Sequence, residues 1–257
     1  MTGFNLPSMA RRWEGYYQYD PSREGKLAVH LNAKNTGSIS AALNIVSQWG
    51  NLGDQGVGHA VQATGAQRPK YVASAINGRP AIEGRHDGVN ASNLAIADAT
   101  GLDYTLFTSF TVFQRVTDLA VTAEQIAGKY STSGNQRESR VLLNNTDYLS
   151  SSVSTDGTSG TLVSASMAAS PTVVGTPAIA VVCFTGSSLK ISKNGANEVS
   201  AAVASVFNGT SPYYLFSRDS NGDPYAGYIG EHLFFTELLD AAAQARVLAY
   251  LQAGWGL

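Results

Sequence analysis

The sequence predicts an all-β protein, an antiparallel β-sandwich closed by one short C-terminal helix. Three observations lead there. Apolar and polar residues alternate with a period of two through much of the chain, turn signals recur at short intervals, and one segment near the C-terminus carries a helix pattern. At 257 residues and 44% hydrophobic content, the chain can build one all-β domain with a real core.

Residues 1–25 stand apart. Arg11 and Arg12 precede the aromatics Trp13, Tyr16, Tyr17 and Tyr19, but the segment holds no sustained period of two or 3.6. It reads as an extended arm whose aromatics dock on an assembly partner or, alternatively, on the chain's own domain. The domain proper is expected over residues 26–257. Leu27, Val29 and Leu31 alternate with Ala28 and His30, as in a half-buried strand, and residues 45–49 form another. After Trp49 come Gly50, Gly53, Gly56 and Gly58, which do not fit a Gly-x-Gly-x-x-Gly phosphate cradle. No helix follows, so this stretch is a loop.

Residues 104–116 are long, β-branched and aromatic, as in a central strand covered on both faces. Strands are expected at 126–130, 139–143, 178–184, 188–199 and 228–235, with Gly/Ser/Thr/Asn loops between them, as at 151–160. Asn194-Gly195 is a two-residue hairpin signal. Asp240 caps a helix over 241–252, with Val247, Leu248 and Leu251 as its apolar stripe and Gly254 as its stop.

Composition removes several functions. Charged residues are 14%, against roughly 25% in ordinary proteins, and the net charge is -2. A neutral polar surface offers no field for a phosphate backbone, so nucleic acid is not an expected partner. Cys183 stands alone among apolar residues and reads as a small core side chain. The N-terminal residues lack the pattern of a secretory signal, and no apolar run approaches the roughly 20 residues of a membrane span. The expected place of synthesis and assembly is a cytoplasm.

A series of landmarks then carries a family resemblance. They are Val46-Ser-Gln-Trp-Gly-Asn-Leu-Gly-Asp54, Ala60-Val-Gln-Ala-Thr64, Arg68-Pro-Lys-Tyr71, Ile76-Asn-Gly-Arg-Pro-Ala-Ile82 and Asp87-Gly-Val-Asn90. Ile191-Ser-Lys-Asn-Gly195, Gly230-Glu-His-Leu-Phe-Phe235 and Tyr250-Leu-Gln-Ala-Gly-Trp-Gly-Leu257 complete the series. In this order they resemble the laminin-G-like branch of the concanavalin A-like lectin/glucanase superfamily. The resemblance implies a jelly-roll sandwich over residues 26–257, with Trp49 packed at its edge. Similar modules occur in bacterial secreted proteins and in bacteriophage virions.

Glucanases with this fold resemble one another in a Glu-x-Asp-x-Glu strand, which puts its carboxylates on one face. This chain has no Glu-x-Asp, and its 19 acidic residues are scattered. Catalytic residues are therefore not expected; Glu83, Asp87 and Glu231 are the positions on which an enzymatic alternative would be tested. His30, His59, His86 and His232 share no zinc spacing. Asp219, Asn221 and Asp223 alternate oxygen ligands as a calcium loop does, but Pro224 breaks the EF-hand pattern; a plain polar turn is the favoured reading. Tyr213, Tyr214, Tyr225 and Tyr228 cluster around that turn and are the candidate ring faces for a glycan, unless they are half-buried strand tyrosines.

Together these expectations describe a non-enzymatic virion structural protein, a head decoration, fibre or tail appendage. Residues 1–25 would contact other virion proteins, and an outward lectin-like module would adhere to cell-surface polysaccharide. A homo-oligomer is expected, because repeated weak sites gain by avidity. The alternative is a glycan depolymerase on the same fold. No cofactor is expected, calcium being the one candidate ion.

Overall fold

A computed structural model describes residues 19–119, 123–219 and 222–257. Its strands form two packed antiparallel layers. The back layer runs β15 (Ala196–Ala202), β14 (Ser188–Lys193), β13 (Pro177–Phe184), β8 (Phe107–Arg115) and β17 (Gly227–Phe235). The free side of β17 is shared by β1 (Leu27–Asn32) and β6 (Arg79–Glu83), and β5 (Lys70–Ile76) pairs with β6.

The front layer begins with β2 (Ile39–Ala42), β3 (Ile45–Trp49), β4 (Ala60–Val61), β7 (Leu94–Ile96) and β16 (Tyr213–Leu215). It continues through β9 (Ala123–Ser131), β10 (Gln136–Asn144), β11 (Tyr148–Ser154) and β12 (Leu162–Pro171). A single pairing, Ile45 with Lys70, joins the two layers at one edge. Between them lies the main core, which includes Trp49, Phe107, Phe113, Phe184, Phe216 and Phe234. Trp49 is fully buried there.

The back layer is apolar on its outer face as well. Phe110, Val112, Ile179, Val181, Leu233 and Phe235 form a second cluster beneath the helix α1 (Ala241–Trp255). β8 is thus covered on both faces, as its unbroken β-branched and aromatic run predicts. Asp240 caps α1 by accepting from the Ala243 amide at 2.7 Å. Asn194 and Gly195 both adopt positive φ (57° and 74°), which suits a two-residue hairpin turn.

Two expectations about elements are corrected. Residues 151–160 are not one loop, because Ser151–Ser154 complete β11. Leu149 and Val153 of that strand face the core, while Ser150 and Ser152 face outward and meet Ser166 and Ser164 across the ladder at 2.7 and 2.9 Å. Serines satisfy one another there, so the strand lacks the apolar residues that would advertise it. The helix also passes Gly254 and stops at Gly256, the residue with left-handed φ (69°). Trp255 is drawn into the outer cluster, and that burial carries the helix past Gly254.

Buried polar groups stitch the layers together. His232 of β17 places Nδ1 2.9 Å from Thr111 Oγ1 within the back layer. Its Nε2 lies 2.9 Å from the Tyr213 hydroxyl of the front layer. On the other face of β17, the fully buried Glu231 accepts from His30 Nε2, Tyr250 Oη and Trp255 Nε1 at 3.0, 2.8 and 2.9 Å. Lys34 Nζ lies 3.7 Å from the same carboxylate and 4.7 Å from the Trp255 ring centre. Gly230 makes this packing possible: a Cβ there would sit 2.5 Å from the Trp255 ring. No helix among the described residues is long and apolar enough to cross a membrane.

Candidate functional site

A groove of ≈ 470 Å³ opens at one end of the sandwich. Its walls come from the end of β6, from the segment 84–92, and from the chain leaving β8 and entering β17. Backbone bonds hold these walls together. The Gly84 amide donates to the Gly227 carbonyl at 2.8 Å, and the Val116 and Thr117 amides converge on the Ala226 carbonyl at 3.0 and 3.2 Å. Gly84 has to lack a side chain, since a Cβ would stand 2.4 Å from the Phe216 ring.

The segment 85–92 is a small hairpin closed by the His86–Ala91 bridge. Asp87 shapes its turn: Oδ1 accepts from the Val89 amide at 2.9 Å and the Asn90 amide at 2.6 Å. These bonds lead the causes that hold its carboxyl at about 2, below the usual aspartate range. Glu83, Arg85, His86, Asp87, Asn90, Ser92 and Thr117 give the groove both signs of charge with amide, hydroxyl and imidazole groups, while Val116, Leu119 and Ala226 supply apolar wall. Such a set can exchange several hydrogen bonds with a neutral polyhydroxyl ligand.

The tyrosines named from the sequence do not assemble on one surface. Tyr213 and Tyr225 are 2% and 1% exposed and belong to the core. Neither offers a ring face. Tyr214 and Tyr228 are half-buried, and Tyr228 packs with the outer cluster beneath α1. Closeness along the chain put these rings near a turn without showing that the strands around it would be covered on both sides.

The aspartates of the calcium candidate have other partners. Asp223 Oδ2 is bound by Arg140 Nη1 at 2.6 Å, so a guanidinium holds the position an ion would need. Asp219 uses its backbone carbonyl to accept from Asn93 Nδ2 at 2.9 Å. Asn221 lies outside the described residues. A different carboxylate group, Asp118, Glu124 and Asp147, does converge within 4.8 Å. Arg115 stands among the three, 2.9 Å from Asp118 and 2.7 Å from Asp147, and is also bonded to Glu124. The cation of that cluster is the arginine.

Of the carboxylates that would test an enzyme, Glu83 and Asp87 share the groove while Glu231 is sealed beneath α1. Arg11, Arg12, Trp13, Tyr16 and Tyr17 lie outside the described residues. Tyr19 packs on the chain's own helix, its ring 5.2 Å from that of Tyr250 and its hydroxyl donating to Glu24 at 2.9 Å. Sequence reasoning missed the groove because its residues come from four separate segments. The Asp87-Gly-Val-Asn90 turn was the one local signal of it.

No protein-family model matches the chain, and no curated protein sequence does. Solved structures do match. The binding domain of botulinum neurotoxin serotype G superposes with a TM-score of 0.63 at 8% identity, over 90% of this chain and 54% of that one. The binding domain of Paraclostridial Mosquitocidal Protein 1 gives 0.61 at 10% identity, over 89% and 52%. Domain 4 of AbnA, a GH43 extracellular arabinanase from Geobacillus stearothermophilus in complex with arabinotriose, gives 0.56 at 16%, over 88% and 99%. The chain spans about half the length of the first two and nearly all of the third. What it shares with them is the fold, an antiparallel β-sandwich.

Proposed function

We infer that this protein is a non-enzymatic glycan-binding module whose site is the groove of Glu83, Arg85, His86, Asp87 and Asn90. The observation that carries the reading is the groove itself, a polar concavity of ≈ 470 Å³ built on backbone-fixed loops. The arabinotriose complex of a domain with the same fold supports the ligand class. On a glycan array of bacterial surface polysaccharides, the protein is expected to bind at least one class. Arg85→Ala and Asn90→Ala should each weaken that binding about tenfold, the effect of one lost hydrogen bond worth roughly 1.5 kcal/mol. Array-wide silence, or undiminished binding by both variants, would remove the groove from the account. Release of reducing ends by the wild type would favour the depolymerase.

The setting we propose is a bacteriophage virion, as a head decoration, fibre or tail appendage. The neutral, 14% charged composition and the aromatic residues 11–19 support it. In this role Arg11, Arg12, Trp13, Tyr16 and Tyr17 contact a second copy or another virion protein. Light scattering behind size-exclusion chromatography should then show an oligomer for the full chain and a folded monomer after deletion of residues 1–18. Equal masses per particle for both would set the assembly role aside.

A further inference from the structure

Away from the groove, a buried amine and a buried carboxyl group of the sandwich meet an amide at its surface. Lys129 of β9 is fully buried. Its Nζ lies 3.2 Å from Glu138 Oε2 of β10 and donates to Asn208 Oδ1 at 3.3 Å. Asp98 Oδ1 is 2.8 Å away on the solvent side, its side chain 27% exposed. Glu138 is also fully buried. Its Oε2 accepts from the Gly209 amide at 2.9 Å, while Oε1 is enclosed without any hydrogen-bond partner.

Asn208 is held on both flanks. The Phe207 amide donates to the Ser154 carbonyl at 2.8 Å, and the Thr210 amide donates to Gln136 Oε1 at 2.7 Å. The side-chain amide is therefore presented to the amine by a pinned segment, one bond from an oxygen already in contact with it. A merely structural lysine needs only an opposite charge. This one faces an electrophile as well, next to a carboxyl group with one oxygen still uncommitted.

We propose that Lys129 and Asn208 are joined by an intramolecular isopeptide bond, formed autocatalytically with Glu138 carrying the protons. Glu138 first takes a proton from the Lys129 ammonium, which leaves a neutral amine and a neutral carboxyl group. The carboxyl group, through its uncommitted oxygen, hydrogen-bonds Asn208 Oδ1 and draws electron density from the amide carbon. The Nζ lone pair attacks Cγ. As the tetrahedral carbon collapses, Glu138 returns a proton to Nδ2, the Cγ–Nδ2 bond breaks, and ammonia leaves. The remaining Nζ proton of the cationic adduct passes out with the ammonia as ammonium. No oxidant, metal or second molecule is consumed.

Burial pushes the Glu138 carboxyl up to about 7, so it takes and returns protons near neutrality. Asp98 is the poorer acyl partner, because a carboxylate is anionic where an amide is neutral. Effective concentration does the rest: groups locked in contact react at rates that free side chains never reach.

Intact-mass spectrometry of the full, denatured chain provides the test. The wild type is expected to be lighter than its sequence by one ammonia, and its digest should contain a branched peptide joining residues 129 and 208. Lys129→Arg and Glu138→Gln should both return to the full sequence mass. Asn208 precedes Gly209, and an Asn-Gly succinimide loses the same mass. Persistence of the loss in Lys129→Arg would therefore mean a succinimide and overturn the proposal. So would a folded wild type at full mass, or loss of water in place of ammonia, which would join Lys129 to a carboxylate side chain. Should a variant fail to fold, the branched peptide of the wild type, present or absent, decides alone.

Discussion

Glu231→Ala should lower the unfolding free energy by about 3–5 kcal/mol, the usual effect of leaving buried partners of an ion pair uncompensated. The variant strands the Trp255 indole N–H and the Tyr250 hydroxyl, and removes the anion facing Lys34 and His30. Because Tyr250 and Trp255 are α1 residues, the helix should loosen from the back layer first and expose Phe110, Leu233 and Phe235. Chemical denaturation gives the free energy, and amide exchange along 241–255 shows where it is lost. Glu231→Gln should recover part of the stability, since its amide oxygen can still accept. Burial alone would raise the Glu231 carboxyl, but the His30 hydrogen bond, the charges of His30 and Lys34 and the Trp255 N–H together hold it below the ordinary value. A lowered carboxyl contributes stability above its unfolded value, and that contribution is lost as pH falls through the folded one. Unchanged stability in Glu231→Ala would mean that α1 is held by apolar contact alone.

His232 should make the protein lose stability as pH falls below about 6.5. Burial lowers its imidazole from 6.5 to about 3, so the folded state keeps it neutral between Thr111 and Tyr213. A histidine lowered in this way contributes its full stability above pH 6.5. Below that, the unfolded chain takes up a proton that the folded chain refuses. Each pH unit then removes about 1.4 kcal/mol, and by about pH 4.5 the loss reaches roughly 2–3 kcal/mol. Glu138 acts in the opposite direction, because its raised carboxyl gains stability as pH falls. The two are separated by His232→Gln, which should be less stable at neutral pH yet show a shallower acid limb in thermal melts. Parallel limbs for variant and wild type would locate the acid sensitivity elsewhere.

Both effects belong to β17, and that strand shows what a sequence discloses. The alternation of Leu233 and Phe235 against Phe234 marks a strand with two apolar faces. The Asp240 cap and the Asn194-Gly195 turn are equally local, and local chemistry decides them. Glu231 and His232 read as ordinary polar strand positions, because their partners lie on β1, β8, β16 and α1. Tyr213 and Tyr225 misled for the same reason: whether a strand tyrosine is a surface platform or a core ring depends on which layer covers it. The landmark series from Val46 to Leu257 conveyed the sandwich, since order along the chain survives where pairings cannot be seen. The groove is assembled by topology, from residues 65–66, 83–92, 116–119 and 226, and no local pattern joins them.

Binding in that groove is the central claim, and backbone amide shifts during titration with an array-selected oligosaccharide test it most directly. Groove binding predicts saturable shifts concentrated at residues 83–92 and 116–119, absent from Asn90→Ala at the same ligand concentration. Shifts confined to the outer face of the front layer, around Tyr130 and Arg140, would contradict it and move the site to the sheet.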